Sequence, residues 1–284
     1  MAKIKAFVSG VLGRISNDRL SLVSAGVAFY IFLSIFPALA ATISIYGLAA
    51  DPQVVQSHVE TLGQFMPEEA LAMISARIRD LTSSQDSSLT LGLVIGIVLS
   101  LWSANKAMKG VAQALNIAYD RKEDRGFVKV NAVTLALTLA SSIAFIIALS
   151  VVVVVPILVN AVLAIQSIEW VAMTSSWMVF IVVLIGMFLL IYHFAPALHE
   201  RGWRDLLPGA IAAAVLFLIA SVGFSLYVAN FGKYDKQYGS LGAVVITLLW
   251  LYIGSYIFLL GAEINAQRNQ GGKSDSSMQA RHPH

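Results

Sequence analysis

The chain has no cysteine among its 284 residues, and charged side chains make up only 12% of them. The first absence excludes disulfides, thiol nucleophiles and cysteine-ligated metals, and leaves the redox compartment undetermined. The second excludes a soluble domain, in which about a quarter of residues carry charge. The charges are also unevenly spread: residues 20–50, 87–105, 130–168, 170–199, 206–232 and 237–262 contain no Asp, Glu, Lys or Arg. Even the shortest run has 19 residues, roughly 28 Å of helix at about 1.5 Å per residue, close to the roughly 30 Å hydrocarbon core of a bilayer. These runs read as membrane spans, and the fold class is all-α.

Catalytic signatures are missing too. The five histidines, His58, His193, His199, His282 and His284, are scattered, with no His-x-x-x-His or His-Glu-x-x-His spacing. The His282-Pro283-His284 pair is a weak metal site at the end of the chain. Neither a Gly-x-Ser-x-Gly elbow nor a Walker A loop is present. No catalytic residue, metal site or cofactor is assigned, and the expectation is that the protein is not an enzyme. The net charge of +3 does not call for nucleic acid, because the basic residues flank apolar runs, where membrane orientation explains them first.

What is present sets the orientation. With a cytoplasmic N-terminus, fifteen of the nineteen basic residues fall on the cytoplasmic side; only Arg77, Arg79, Lys233 and Lys236 fall outside. That positive-inside bias predicts six spans with both termini cytoplasmic, at about 24–50, 88–106, 131–156, 170–194, 206–230 and 240–263. The 130–168 run is long for one span and short for two with a turn. It is read as one helix, ended or kinked at Pro156 after the valines 151–155.

Residues 1–19 place Ile4, Phe7, Val8, Val11, Leu12 and Ile15 at helical spacing, as in an amphipathic helix on the inner membrane face. A secretory signal is the rival reading, but Arg14, Asn17, Asp18 and Arg19 interrupt the apolar segment and no small-residue cleavage site follows. The transmembrane domain spans 20–265. Its outer segment, 51–86, has helix-start signals at Asp51-Pro52 and Pro67-Glu68-Glu69, so two short amphipathic helices are expected there. Residues 266–284 read as a disordered cytoplasmic tail.

Within the spans, Gly92, Gly96, Ser100 and Ala104 form a small-residue stripe suited to close helix packing, within the chain or in a homo-oligomer. Pro37 interrupts the first span near its middle, and Ser34 is placed to satisfy freed polar groups. Broken helices of this kind line binding sites or act as hinges in transporters. Lys233, Lys236, Gly239 and Ser240 precede the last span, where lysines and open backbone N–H groups suit an anion, although a tight hairpin explains them as well. Asn105 and Asn230 sit at span ends. Glu263 falls near the cytoplasmic boundary, as Lys106 and Lys109 do; an ion pair with them is one reading, and a carboxylate reaching interfacial water is favoured. Ser34, Pro37, Asn105, Asn230, Lys233, Lys236, Gly239, Ser240 and Glu263 are the candidate substrate path.

Five strings carry a resemblance: Ala25-Gly26-Val27-Ala28-Phe29-Tyr30 leading to Leu33-Ser34-Ile35-Phe36-Pro37; Ala114-Leu115-Asn116 with Tyr119; Tyr238-Gly239-Ser240-Leu241-Gly242; Leu249-Trp250-Leu251-Tyr252; and Gly261-Ala262-Glu263-Ile264-Asn265. In order and spacing they resemble the YihY/BrkB family of bacterial inner-membrane proteins, over about residues 15–266. The resemblance implies six helices in the bacterial cytoplasmic (inner) membrane. It also brings a mixed functional record, since members have carried the label ribonuclease BN or been linked to serum resistance and export of lipid or envelope precursors. It supplies no agreed active site. The expectation is a transporter or flippase-like exporter of an anionic lipid or envelope precursor, with membrane lipids and an anionic amphiphile as partners and no ATP motif of its own. The rivals are a non-transporting envelope-assembly scaffold and, more distantly, a membrane-bound ribonuclease dependent on His193 or His199.

Overall fold

The structure, a computed structural model, describes residues 2–49, 88–163, 166–198, 202–231 and 240–279. They form seven helices: α1 Ala2–Asn17, α2 Leu20–Ala49, α3 Ser88–Ala118, α4 Phe127–Leu163, α5 Gln166–Phe194, α6 Trp203–Phe231 and α7 Ser240–Gln279. No strand occurs among the described residues, as expected where a bilayer leaves backbone groups no water to bond and helices satisfy them internally. Stretches of α4 (Phe127–Ala144), α5 (Trp177–Phe194), α6 (Trp203–Val228) and α7 (Val244–Asn269) are each long and apolar enough to cross a membrane. Ile4–Asn17 and Leu20–Ile35, bent by 60° at a short break, make a fifth if taken as one span. The protein is therefore a multi-pass membrane protein with four to five such spans among the described residues, where the charge pattern suggests six. The outer segment 51–86 lies outside the described residues.

The chain divides into two compact units, Met1–Tyr30 with Asn105–His284, and Ile31–Ala104. In the first, α6 packs on α7, α4 on α5, α5 on α6, and α1 on α7. Arg125, just before α4, bonds the carbonyls of Phe194 and Ala195 at the end of α5, so α4 and α5 run antiparallel as one hairpin. Here α4 continues past Pro156 to Leu163, so Pro156 does not end it. The last helix likewise runs on to Gln279, into the segment expected to be a disordered tail.

Helix ends in this unit are closed by specific devices. Asp120, with φ 52°, is the left-handed residue after α3. The Arg121 N–H bonds the Asn116 carbonyl at 2.8 Å and the Asp120 N–H bonds that of Ile117 at 3.0 Å, which is a Schellman cap. Arg19, with φ 49°, closes α1 in a similar way through its N–H to the Ser16 carbonyl at 3.2 Å. Outward-facing Leu139, Ile143, Val182, Ile219 and Leu226 are exposed, as suits side chains whose solvent is lipid.

Candidate functional site

The polar interior of the first unit gathers at one end, around the segment Phe258–Asn265 of α7. A rotation of about 100° per residue places Gly261 and Asn265, four apart, on one face of the helix and Glu263 on the opposite face. The first face meets α6. A Cβ added at Gly261 would lie under 3.0 Å from the Gly209 carbonyl oxygen, the Tyr192 hydroxyl and the Ala213 Cβ, and one at Gly209 would meet the Gly261 carbonyl as closely. Only a glycine pair permits this crossing. Beside it, the Asn265 Oδ1 accepts the Gly209 N–H at 2.8 Å, and its Nδ2 donates to the Leu206 carbonyl at 2.9 Å. This amide clamps the turn around Pro208, whose ring cannot donate. On the α5 side, the Tyr192 hydroxyl donates to the Phe258 carbonyl, while Phe188, Tyr192 and Phe258 pack ring to ring with centroids 4.8 to 6.4 Å apart.

The opposite face carries Glu263, which is 0% exposed. Its Oε2 accepts the Arg14 Nε–H at 2.7 Å. Arg14 also donates through Nη1 to Asp120 Oδ2 at 3.1 Å and through Nη2 to the Ala118 carbonyl at 2.6 Å, and Asp18 Oδ2 stands 3.7 Å from Nη2. A guanidinium is suited to this task because its planar fork offers five N–H donors at once. One arginine from α1 therefore caps the C-terminus of α3, where the helix dipole favours a cation, and neutralises an acid inside α7. Glu263 does not reach interfacial water, and its partner is Arg14 rather than Lys106 or Lys109.

A parallel device closes α5. Arg125 bonds the Phe194 and Ala195 carbonyls at 3.2 and 2.7 Å and grips Glu123 through Nε and Nη2, both at 2.7 Å. Those hydrogen bonds hold the Glu123 carboxyl down at about 2. Asn116 joins the network, donating to Glu123 at 3.0 Å and accepting the Ala197 N–H at 2.7 Å. The structure thus brings α1, the 119–126 connection, residues 195–198 after α5 and Glu263 to one end of the unit.

The other candidates are placed as follows. Asn105 begins the second segment of the first unit, with its Oδ1 buried and without a hydrogen-bond partner. Ser34 lies in α2 and donates to the Ile31 carbonyl of its own helix at 2.6 Å. Pro37 belongs to α2, Gly92, Gly96, Ser100 and Ala104 to α3, Asn230 to α6, and Ser240 opens α7; of these, only the Ala104 side chain is described, half-buried. Lys233, Lys236, Gly239 and His199 lie outside the described residues, while His193 stacks on Trp203 with ring centroids 4.3 Å apart. Sequence reasoning missed Arg14, Asp18, Asp120, Glu123, Arg125 and Gly209. The available signal was Arg14 interrupting an apolar helix four residues before Asp18, a spacing that sets both on one helix face.

The family model described as "Virulence factor BrkB" matches residues 11–283. The chain belongs to the BrkB family. Among curated BrkB relatives, the ribonuclease-like protein YfkH of Bacillus subtilis is 30% identical over 256 residues, covering 86% of this chain and 88% of YfkH. A UPF0761 membrane protein of Tolumonas auensis is 27% identical, covering 89% of this chain and 82% of its own length. A UPF0761 protein of Rhodospirillum centenum reaches 47% identity over 68 residues, 24% of this chain and 15% of that relative. No solved structure matches this BrkB-family chain.

Proposed function

We propose that this BrkB-family protein is a transporter or flippase-like exporter, moving an anionic lipid or envelope precursor across the bacterial inner membrane with both termini cytoplasmic. The observation that carries the reading is Glu263: a carboxylate fully buried in a helix apolar enough to span the bilayer, held by an arginine from a separate helix. Ionisable groups at such positions are costly and mark functional paths by default. The Arg14–Glu263 pair would close α1 over the end of α7 in one state and release it in another. The basic residues around Asn116–Lys129 and Arg204 support placing this end in the cytoplasm and would attract an anionic headgroup.

A scaffold for envelope assembly is the second reading. It is favoured by Asn265 and Tyr192, which bond neighbouring helices, and by Asn116, which ties the end of α3 to Ala197 just after α5. A ribonuclease, suggested by the printed name of YfkH, has less support: among the described residues no three His, Asp or Glu side chains are grouped to hold a metal. The deciding experiment is reconstitution of the full chain into vesicles carrying a labelled anionic phospholipid. Movement of the label between leaflets, beyond protein-free vesicles, is expected. Neither movement nor binding, with the fold intact, overturns the reading.

A further inference from the structure

Among the described residues Glu263 is the only acid classed as buried. Its Oε2 is bonded to Arg14, but its Oε1, also buried, has no hydrogen-bond donor. Three carboxylates, those of Asp18, Asp120 and Glu263, stand around one guanidinium, so the cluster holds a formal excess of two negative charges. The Asp18 and Asp120 side chains are 18% and 60% exposed and can use water, whereas the Glu263 side chain has no exposed surface. Among the described residues, Arg14 is therefore the cation that neutralises Glu263.

We propose that Glu263 is a proton-binding site whose proton exchanges with Arg14. This rests on the transport reading only in making the proton the coupling ion. Leaving an isolated carboxylate in an apolar interior costs so much that the group neutralises instead. When α1 lifts away, a proton from water on that face bonds to a Glu263 oxygen. Arg14 departs with its charge, still within reach of Asp18, which follows α1 directly and is tied to it by its N–H to the Arg14 carbonyl at 2.9 Å. When α1 returns, the proton leaves to water and the ion pair re-forms. The buried position is neutral in both states, so the exchange carries no net charge penalty at Glu263. By linkage, whatever protonates Glu263 favours release of α1, and whatever holds α1 down expels the proton.

The surroundings fit this exchange. From α1, Arg14 bonds Glu263; Asp18, in the break just after α1, stands beside Arg14, and Asp120 approaches it from the end of α3. From α5, the titratable group near this turn is Tyr192, whose hydroxyl is engaged by the Phe258 carbonyl. The α6 helix contacts the turn through Gly209 and Ala213, and its Arg204 and Asp205 are exposed, as is Arg268 on α7 itself. The helix carrying Arg14 joins α2 through the two-residue break at Asp18-Arg19, where the chain bends by 60° and Arg19 takes φ 49°. A break of that kind can hinge without unwinding either helix.

The absence of cysteine makes a direct test simple. Ser9→Cys on α1 and Arg268→Cys on α7, both exposed, carry spin labels in the full chain, placed in nanodiscs containing anionic phospholipid. Pulsed electron resonance then reads the distance between the helices across pH. A single short distance is expected at alkaline pH, with a longer population growing as pH falls, and Glu263→Gln should be mostly long at every pH. Asp120→Asn should keep the pH response. An α1–α7 distance independent of pH and unchanged by Glu263→Gln overturns the proposal. Should Glu263→Gln fail to fold, infrared spectroscopy of Arg14→Gln provides a second test. One added protonated-carboxyl band near neutral pH, absent from the Arg14→Gln/Glu263→Gln double variant, supports the site, and no such band overturns it. A responsive label in protein that moves no lipid, with or without a proton gradient, keeps the proton site and removes the transport reading. Lipid movement indifferent to that gradient, with silent labels, does the reverse.

Discussion

Two stretches of the same unit treat polar groups in opposite ways. In α4, the hydroxyls of Thr134, Thr138 and Ser142 donate to the carbonyls four residues back, at 2.8 to 2.9 Å. They satisfy themselves locally and specify nothing about a neighbour. Toward the middle of the α4–α5 hairpin, Ala140, Ser141, Ala144, Val183, Gly186, Met187 and Leu190 line a cavity of about 180 Å³. Around Phe258–Asn265 of α7, the polar groups instead reach across to α1, α5 and α6, and the helices touch backbone to backbone. Helix association in lipid lacks the hydrophobic drive it has in water, so packing and interhelical hydrogen bonds decide where helices are fixed. The α7 end is the fixed point; the middle of the α4–α5 hairpin is loosely filled.

Substitutions can break or sharpen that contrast. The largest effect is expected from Arg14→Ala at alkaline pH, where no proton replaces the guanidinium and removing one partner of a buried pair costs about 3–5 kcal/mol; chemical denaturation in detergent should show it. Gly261→Ala comes next. Its new Cβ would strike the backbone of Gly209, and overpacking of this sort costs about 1–3 kcal/mol. Asn265→Ala orphans the Gly209 N–H and the Leu206 carbonyl, at about 1–3 kcal/mol for each group left unsatisfied. The same glycine-to-alanine change at Gly186 should have the opposite sign. A Cβ there meets nothing within 4 Å, and a gain of about 0.5–1 kcal/mol is expected from helix propensity, read as a rise in Tm. If Gly186→Ala and Gly261→Ala shift Tm alike, the two regions do not differ as described.

The smallest effect is a pH dependence outside the membrane. Arg125 depresses the Glu123 carboxyl from an ordinary 4.5 to about 2. A depressed acid contributes stability that is fully present above its unfolded value and is lost as pH falls through the folded one. Wild-type protein should lose Tm between pH 4.5 and about 2, and Glu123→Gln should lack that part of the decline. Because Glu123 is partly exposed, solvent screening keeps the effect small.

The sequence made the membrane architecture legible because uncharged length is a local property. Helix existence followed from runs such as 206–232, which α6 covers to Phe231. Partner choice is not local. Gly261, Glu263 and Asn265 stood in one recognised string, and helical spacing could sort their faces, but nothing in the spacing names Arg14, 249 residues away. Lys106 and Lys109 looked nearer in depth, yet the planar guanidinium on α1 meets Glu263 and the Ala118 carbonyl together. The close Gly209–Gly261 crossing was equally hidden, because a glycine in a membrane helix does not show which neighbour it admits.

The most direct measurement is a double-mutant cycle on Arg14→Ala and Glu263→Ala, read by denaturation of the reconstituted full chain. If the α7 end is fixed by this pair, the two single losses should exceed the double loss, with a coupling of about 1–3 kcal/mol. Losses that add to within about 0.5 kcal/mol would mean that Arg14 does not hold Glu263, and the fixed point at the end of α7 would lie elsewhere.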